Sequence, residues 1–552
     1  MTQAASNNIG TFAPLREPVF RRIWSASVLS NFGHLILGVG AAWEMTRLSN
    51  SPAMVALVQT AMMLPLMLIS LPAGAVADMF DRRKVAMAGL AFSVASSALL
   101  TALSFAGLAG PWVLLTFCAL IGAGVALYSP ACQSSVGEQV PPAQLPAAIA
   151  LGTISYNVAR SVGPAIGGVI VLAAGATAAF GLNMLCYIPL LIAFFLWQKR
   201  HSPSRLPPER IDRAIMAGMR YVRHSGPIRI VLIRTFLFGF TCATASALAP
   251  LIAKDLLGGD SSVFGILLGA SGLGAVTGAM FTAQVRSTLG EEKATRLLAV
   301  ISGLALIGVG LSRSLPLTCV ALFIIGAVNI LTIALHNVSV QLAAPRWVTA
   351  RALSLFSAAM TGGIAFGAWA WGMAALEWGV ANAIVASGAT VLLLPIIAIG
   401  LPLPQAAVGG AEAAHIGNEV AIGLDVTMRS GPINIEIDYR VDPAQARGFY
   451  DAMLGVQKVR QRNGGFDWSL ARDIADPARW TERYHCPTWG DYLRMRGRYT
   501  AADIQAQIDA DALCIAGSER VVTRRLERPL GSVRWQADSP DLQQETITYA
   551  GP

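Results

Sequence analysis

Apolar residues recur in long unbroken runs from Trp24 to Leu401, each about the length that a helix needs to cross a bilayer at 1.5 Å per residue. On that length rule, crossings are expected near 23–44, 53–77, 84–106, 111–131, 145–173 and 176–198. After a polar stretch they resume near 229–253, 262–285, 294–312, 315–342, 351–377 and 379–401. Beyond Pro402 and Pro404 the pattern changes. An Ala/Gly-rich stretch leads to Ile433, Ile435, Ile437 and Tyr439, which alternate with polar residues as a half-buried strand does. Asp442-Pro443 then opens an amphipathic helix that Asn463-Gly464-Gly465 ends. Phe466, Trp468 and Leu470 alternate again, and Trp480–His485 reads as a third strand. Helices are expected over 489–498 and 501–512, the second capped by Thr500 with Asp503, before a last strand at 521–526. The order β-α-β-β-α-β predicts a ferredoxin-like α+β domain.

The expected organisation is therefore an all-α membrane region of twelve helices with a small α+β domain behind it. Its parts are a six-helix half at 1–198, a central loop at 199–228, a second six-helix half at 229–403, a linker at 404–430 and a soluble domain at 431–552.

Composition agrees with this division. Charged residues are 13% of the 552 and the apolar set is 54%, with a mean hydropathy of +0.55. Such a chain cannot cover its whole surface with polar groups, so most of it faces lipid. The net charge of +9 does not indicate nucleic acid, because the Lys and Arg residues fall between the apolar runs. Arg16, Arg21 and Arg22, then Arg82, Arg83 and Lys84, the basic 199–229 loop, Arg286, Lys293 and Arg296, and Arg346 occupy alternate loops. The other loops hold little beyond Arg47, Lys254 and Arg313. The positive-inside rule then places both termini and the central loop in the cytoplasm, for a multi-pass protein of the inner membrane. The seven cysteines are scattered without metal-ligand spacing, so neither a metal site nor a disulfide framework is expected, and no cofactor is called for.

The most specific local signal is Gly74-Ala-Val-Ala-Asp78-Met-Phe-Asp81-Arg82-Arg83-Lys84. It resembles the Gly-x-x-x-Asp-Arg-x-Gly-Arg-Arg loop of the major facilitator superfamily, with Met79 and Asp81 in place of that family's Arg and Gly. The resemblance implies a gating loop at Gly74, Asp78, Asp81, Arg82 and Arg83, whose ion pairs and caps latch the two halves on the cytoplasmic side. Gly163-Pro164-Ala-Ile-Gly167-Gly168 resembles the ending of the motif found in the superfamily's exporters and antiporters, with Ala150 and Ala159 replacing two upstream glycines. Small residues at this spacing let helices approach closely.

Further stretches extend the likeness to the enterobactin-exporter-like branch known as transmembrane secretion effectors. They are Ser30-Asn-Phe-Gly33, Asn157-x-x-Arg160, and in the tail Tyr439-Arg-Val-Asp-Pro443 and Trp489-x-x-Tyr492-Leu-Arg494. That likeness implies proton-driven efflux of siderophores or other hydrophobic small molecules.

Polar residues inside the spans are costly and mark candidate pathways. Arg160 stands first: its partner is the substrate, a structural contact with Asn157 or a carbonyl, or the membrane boundary. An anionic or catechol-like substrate suits a planar guanidinium. Asn31, His34, Gln59, Tyr128, Gln133, His336 and Asn337 are further candidates, with Asn183 and Asn329 beside them. His34 and His336 are the candidate proton carriers. Carboxylates (Glu44, Glu138, Glu377) fall only near span ends.

The tail resembles small monooxygenase-type domains that dimerise, so regulation or dimerisation is its expected role. A pocket lined by His485 with Trp468, Trp480 and Trp489 is the rival, enzymatic or sensory, expectation.

Overall fold

The computed structural model describes residues 12–79, 81–141, 144–197, 219–345, 348–403, 422–424, 426–518 and 520–527. It divides into two compact units: one holds 1–211, 230–339 and 353–403, the other 212–229, 340–352 and 404–552.

The first unit is a helical bundle built from α1 (Pro18–Leu48), α2 (Pro52–Met79), α3 (Arg82–Phe105), α4 (Pro111–Gln139) and α5 (Leu145–Leu196), then α6 (Gly226–Ala247), α7 (Ser261–Leu311), α8 (Leu315–Ala343), α9 (Thr349–Trp378) and α10 (Val380–Gly400). Prolines at the first turn open α1 and α4, where a missing N–H costs nothing. Asp260 caps α7 by accepting from the backbone N–H of Ser262 and Val263. All ten helices are long and apolar enough to cross a membrane among the described residues.

Two of them are double. The 52 residues of α5 break at Gly175 (φ 76°) and the 51 of α7 at Gly290 (φ 71°), left-handed positions that glycine alone takes without strain. Each therefore supplies two crossings, so the ten helices carry the twelve expected spans. One boundary differs from expectation. The stretch 286–293, read as a loop, is helical on both sides of Gly290, and this carries Glu291 and Glu292 into the start of the next crossing.

Glycines set the closest approaches. Gly33 and Gly40 of α1 lie against Cys186 and Ala179 of α5, and Gly274 and Gly278 of α7 against backbone at Phe323 and Ala327 of α8. At such points a side chain would hold the helices apart, so the van der Waals contact that joins membrane helices depends on its absence.

The second unit contains a four-stranded sheet. Strands β1 (Ile433–Arg440), β2 (Phe466–Arg472), β3 (Arg479–Cys486) and β4 (Val521–Leu526) lie in the order β2-β3-β1-β4. Every neighbouring pair is antiparallel, with Ile433 opposite Cys486 and Leu526. This is the ferredoxin-like order expected from the pattern. Its helices are α11 (Ala446–Asn463), α12 (Trp489–Arg496) and α13 (Ala501–Asp511). Asp442 caps the 3-10 turn leading into α11, Gly464 ends α11 at φ 117°, and Thr500 and Asp503 form a complete capping box on α13.

The inner face of the sheet, with Ile433, Ile435, Ile437 and Tyr439, packs against Phe449, Met453 and Val456 of α11. A buried charge pair stands in this core. Glu482, with no exposed side-chain surface, accepts from Arg460 Nε at 3.0 Å, Tyr439 OH at 2.8 Å and Trp468 Nε1 at 2.9 Å. Arg460 also donates to Tyr499 OH at 2.6 Å and Gln507 Oε1 at 2.7 Å. Burial alone would push the Glu482 carboxyl up, but the Arg460 charge and the other donors overcome it and hold the group below the usual carboxylate value.

This arrangement corrects the pocket expectation for the tail. Trp480 and Trp489 are buried in the core and Trp468 serves the Glu482 network on the inner face. His485, one residue on from the buried Tyr484, lies on the outer face, paired with Glu527 at 3.1 Å and near the Phe466 ring. Alternation along a strand separates neighbours to opposite faces, so the histidine and the tryptophans do not line one pocket.

Candidate functional site

The loop between α2 and α3 works through its described residues as an anchor within the first half. Asp81 accepts from the backbone N–H of Arg83 at 2.9 Å and so caps α3. This accounts for an Asp where the family pattern has Gly. Arg82 donates to the Ser134 carbonyl at 2.9 Å and to Glu138 at 3.2 Å, both on α4. Arg83 spans to the end of α5, donating to the carbonyls of Phe194 at 2.9 Å and Phe195 at 2.6 Å. Those carbonyls lie in the last turn of α5, where a cation is favoured. The side chains of Gly74 and Asp78 lie outside the described residues.

The second half repeats this scheme with the charges reversed. Glu291 accepts from Ser339 of α8 at 2.6 Å. Glu292 reaches past the end of α10 to accept from the Leu403 N–H at 2.8 Å, and it holds Arg234 at 2.6 Å and Arg296 at 2.5 Å. Arg234 is 9% exposed and also donates to Thr295 Oγ1 at 2.9 Å. Neither Arg234 nor Glu292 was among the expected site residues. The signal for Arg234 was present, an arginine five positions into the expected span 229–253; Glu292 was hidden by its placement in a loop.

The exporter-type glycines serve two interfaces. Gly163 and Gly167 face Leu35 and Val39 of α1, and Gly168 lies directly against the backbone of Gly265 of α7, which belongs to the other half. Around it, Trp43 stacks on Phe264 at 5.6 Å and the Lys254 amine donates to the Thr46 carbonyl at 3.0 Å. Farther along, Gly269 meets Ala165, Gly372 meets Ala56, and Thr60 donates to the Ala365 carbonyl at 2.9 Å. These contacts between halves cluster toward the bundle end formed by the last turn of α1 and the first turns of α2 and α7. Pro164 is half-buried within the same run.

The intramembrane polar candidates separate into groups. His34 Nδ1 lies 3.3 Å from Tyr187 OH, Tyr128 OH 3.5 Å from Ser30, and the two tyrosine rings meet edge-on at 6.0 Å. This joins His34 and Tyr128 through Tyr187, a residue not singled out beforehand. Asn31 donates to Ser155 at 3.3 Å and Asn183 to Ser97 at 2.8 Å, both bonds between helices. Gln133 turns back to Ser129 of its own helix, on an exposed surface. Gln59 is half-buried on α2, and Asn337 is half-buried with a polar partner. The Asn157 side chain lies outside the described residues. Arg160 is half-buried and makes no hydrogen bond or ion pair among the described residues.

His336 belongs to the second half, 3% exposed, with Nδ1 at 3.2 Å from Thr235 Oγ1. It lines a cavity of about 20 Å³ together with Arg234, Thr295, Arg296 and Thr332. That volume suits about one water molecule and excludes a transported substrate.

Comparison with known proteins decides what this bundle belongs to. The family described as transmembrane secretion effector matches residues 9–530. The chain belongs to that family. It is thus a multi-pass membrane transporter of the major facilitator type, and the matched range takes in its tail as far as residue 530. The staphyloferrin A transporter of Staphylococcus aureus (strain NCTC 8325 / PS 47) is 25% identical over 289 residues, 52% of this chain and 72% of that one. The multidrug efflux pump Tap of Mycolicibacterium fortuitum is 26% identical over 393 residues, 68% of this chain and 94% of that one. Among solved structures, a bacterial homolog of the human lysosomal transporter Spinster in an inward-facing, occupied conformation aligns with a TM-score of 0.57 at 13% identity. It covers 71% of this chain and 98% of that one, which shows the shared fold.

Proposed function

We propose that this transporter exports small amphiphilic molecules of the siderophore or drug class across the inner membrane by proton-driven alternating access, as an antiporter. Both termini, the central loop and the tail lie on the cytoplasmic side in this reading, in keeping with the alternation of basic loops. The likeness to the staphyloferrin A transporter and to the multidrug efflux pump Tap supports the substrate class. The contacts around Gly168 and Lys254 then seal the external side, and the state described is closed outward.

The observation that carries the reading to a residue is Arg160. It lies fifteen positions beyond Leu145, about 22 Å along the helix at 1.5 Å per residue, deep within a hydrocarbon core of about 30 Å. A guanidinium at that depth without a protein partner among the described residues is held for something that enters. Its planar donors suit a carboxylate or catecholate. In inverted vesicles, an anionic siderophore accumulates when a pH gradient is imposed, and Arg160→Lys reduces this by about 10–150-fold, the value of a charged hydrogen-bond pair of about 1.5–3 kcal/mol. Near-normal transport by the variant removes Arg160 from the substrate path, and equal accumulation with and without the gradient removes proton coupling.

The tail, in this reading, pairs two copies of the chain through the outer face of its sheet. Exposed Phe466 and Val521 flank that face at its two edges, and the Glu436, Arg483 and Arg525 cluster lies between them. Cross-linking in native membranes yields a dimer if this holds, and Phe466→Asp with Val521→Asp abolishes it; a persistent monomer refutes the pairing.

A further inference from the structure

We infer that His336 is a proton-accepting group of this transporter, open to water through the cavity beside Arg234. The inference rests on the proton-driven reading above and assigns its carrier. Three facts of geometry support it.

First, the hydrogen bonds determine the tautomer. Thr235 has one hydroxyl proton, and it is donated to the Val231 carbonyl at 2.8 Å. Thr235 Oγ1 therefore accepts from His336, which places the ring proton on Nδ1 and leaves Nε2 with a bare lone pair. Second, that lone pair is buried and has no partner among the described residues. Thr332 Oγ1, one turn away on α8, is likewise buried and unpartnered, as is Asn329 Oδ1 a further turn along. Buried polar groups are seldom left unsatisfied, and three on one helix face mark a path that water fills. Third, His336 and Thr332 line a cavity with room for a water molecule, whose other polar walls are Arg234, Thr295 and Arg296.

The charged groups facing the ring come from two helices. Arg234 on α6 and Arg296 on α7 both bind Glu292, so one carboxylate offsets two guanidinium charges. From α10 the cavity receives apolar side chains such as Leu394, and α9 sends no charged side chain to it among the described residues. A proton arriving by water is taken up on Nε2, giving an imidazolium that keeps its Nδ1–H bond to Thr235. Glu292, already shared by the two arginines, tempers but does not cancel the positive charge that then gathers beside the ring. His34 differs, since its Nδ1 faces the Tyr187 hydroxyl and the ring lies among aromatic neighbours of the first half.

The test is the deuterium exchange of the imidazole C2–H across a pH series, read by mass spectrometry on the full-length protein in lipid nanodiscs. It needs no substrate. His336 is expected to exchange with an inflection inside the pH series. Glu292→Gln is expected to move that inflection to lower pH by on the order of one unit, because the positive charge of Arg234 is then unopposed. An inflection unmoved by Glu292→Gln, or exchange too slow to show any inflection, overturns the inference. Where the Gln variant fails to fold, Glu292→Asp is used, with a smaller shift in the same direction. If wild-type vesicles show no gradient-driven transport of the siderophore probe while His336 still titrates, the export reading is at fault; proton uptake by His336 stands, and its role as carrier falls with that reading.

Discussion

Gly168→Val places a branched side chain where α5 and α7 touch through backbone alone. A Cβ at Gly168 falls inside contact distance of the Gly265 Cα and at 3.1 Å from its nitrogen. Carbon atoms rest at about 3.5–4.0 Å, so the helices must part by about 1 Å or more before valine fits. Overpacking of this kind costs about 1–3 kcal/mol. The cost applies to the state in which this bundle end is closed, and it is relieved when the halves separate there. The closed-to-open ratio at this end should therefore fall by roughly 5–150-fold. Thr46, whose carbonyl receives the Lys254 amine, reports on it. In a cysteine-free background, Thr46→Cys should react faster with a membrane-impermeant maleimide once Gly168→Val is added. Gly308→Ala is the control, since a Cβ there meets nothing within 4 Å. Equal labelling with and without the Gly168→Val substitution would refute the argument that this glycine pair sets the closed state.

Other outcomes concern the tail. Glu482→Gln leaves the Arg460 guanidinium buried without a counter-charge, which costs about 3–5 kcal/mol; limited proteolysis of the full-length protein should cut within 431–527 far faster in the variant, and unchanged cutting would show that the pair stabilises little. The same carboxylate predicts a pH dependence. Its folded value is held below the ordinary 4.5, burial opposing and the Arg460 charge prevailing. Its contribution is therefore complete above about pH 4.5 and is lost as the pH falls through the depressed folded value. Asp438, which burial would raise but Thr481 and Arg479 hold low, adds to the loss in the same acid range. Protease resistance of the tail should thus be flat from neutral pH to about 5 and drop below about 4; a loss that begins near pH 6 would point to a histidine instead.

Much of this molecule was legible before its structure. Membrane crossings depend on length and hydropathy, which are local, so the twelve spans could be counted without knowing how they pack. The tail was equally readable, because Asp442-Pro443, Asn463-Gly464 and Thr500 with Asp503 are short-range signals whose hydrogen bonds close within a few residues. The one boundary misread, at 286–293, had charges and a glycine that resemble a loop, yet helix runs up to Gly290 on both sides.

What the sequence by itself determined was therefore which segments enter the membrane, how the loop charges alternate, and the strand order of the tail. Only the tertiary structure decided which polar residues meet. Arg234 and Glu292 are 58 positions apart, His34 and Tyr187 are 153 apart, and Arg460 finds Glu482 across 22. No periodicity encodes such meetings, because they depend on the rotation and register of separate helices and strands. The same holds for Gly168: its spacing marked it as small and close-packed, but only the folded bundle shows that it lies against Gly265, between the two halves that must part.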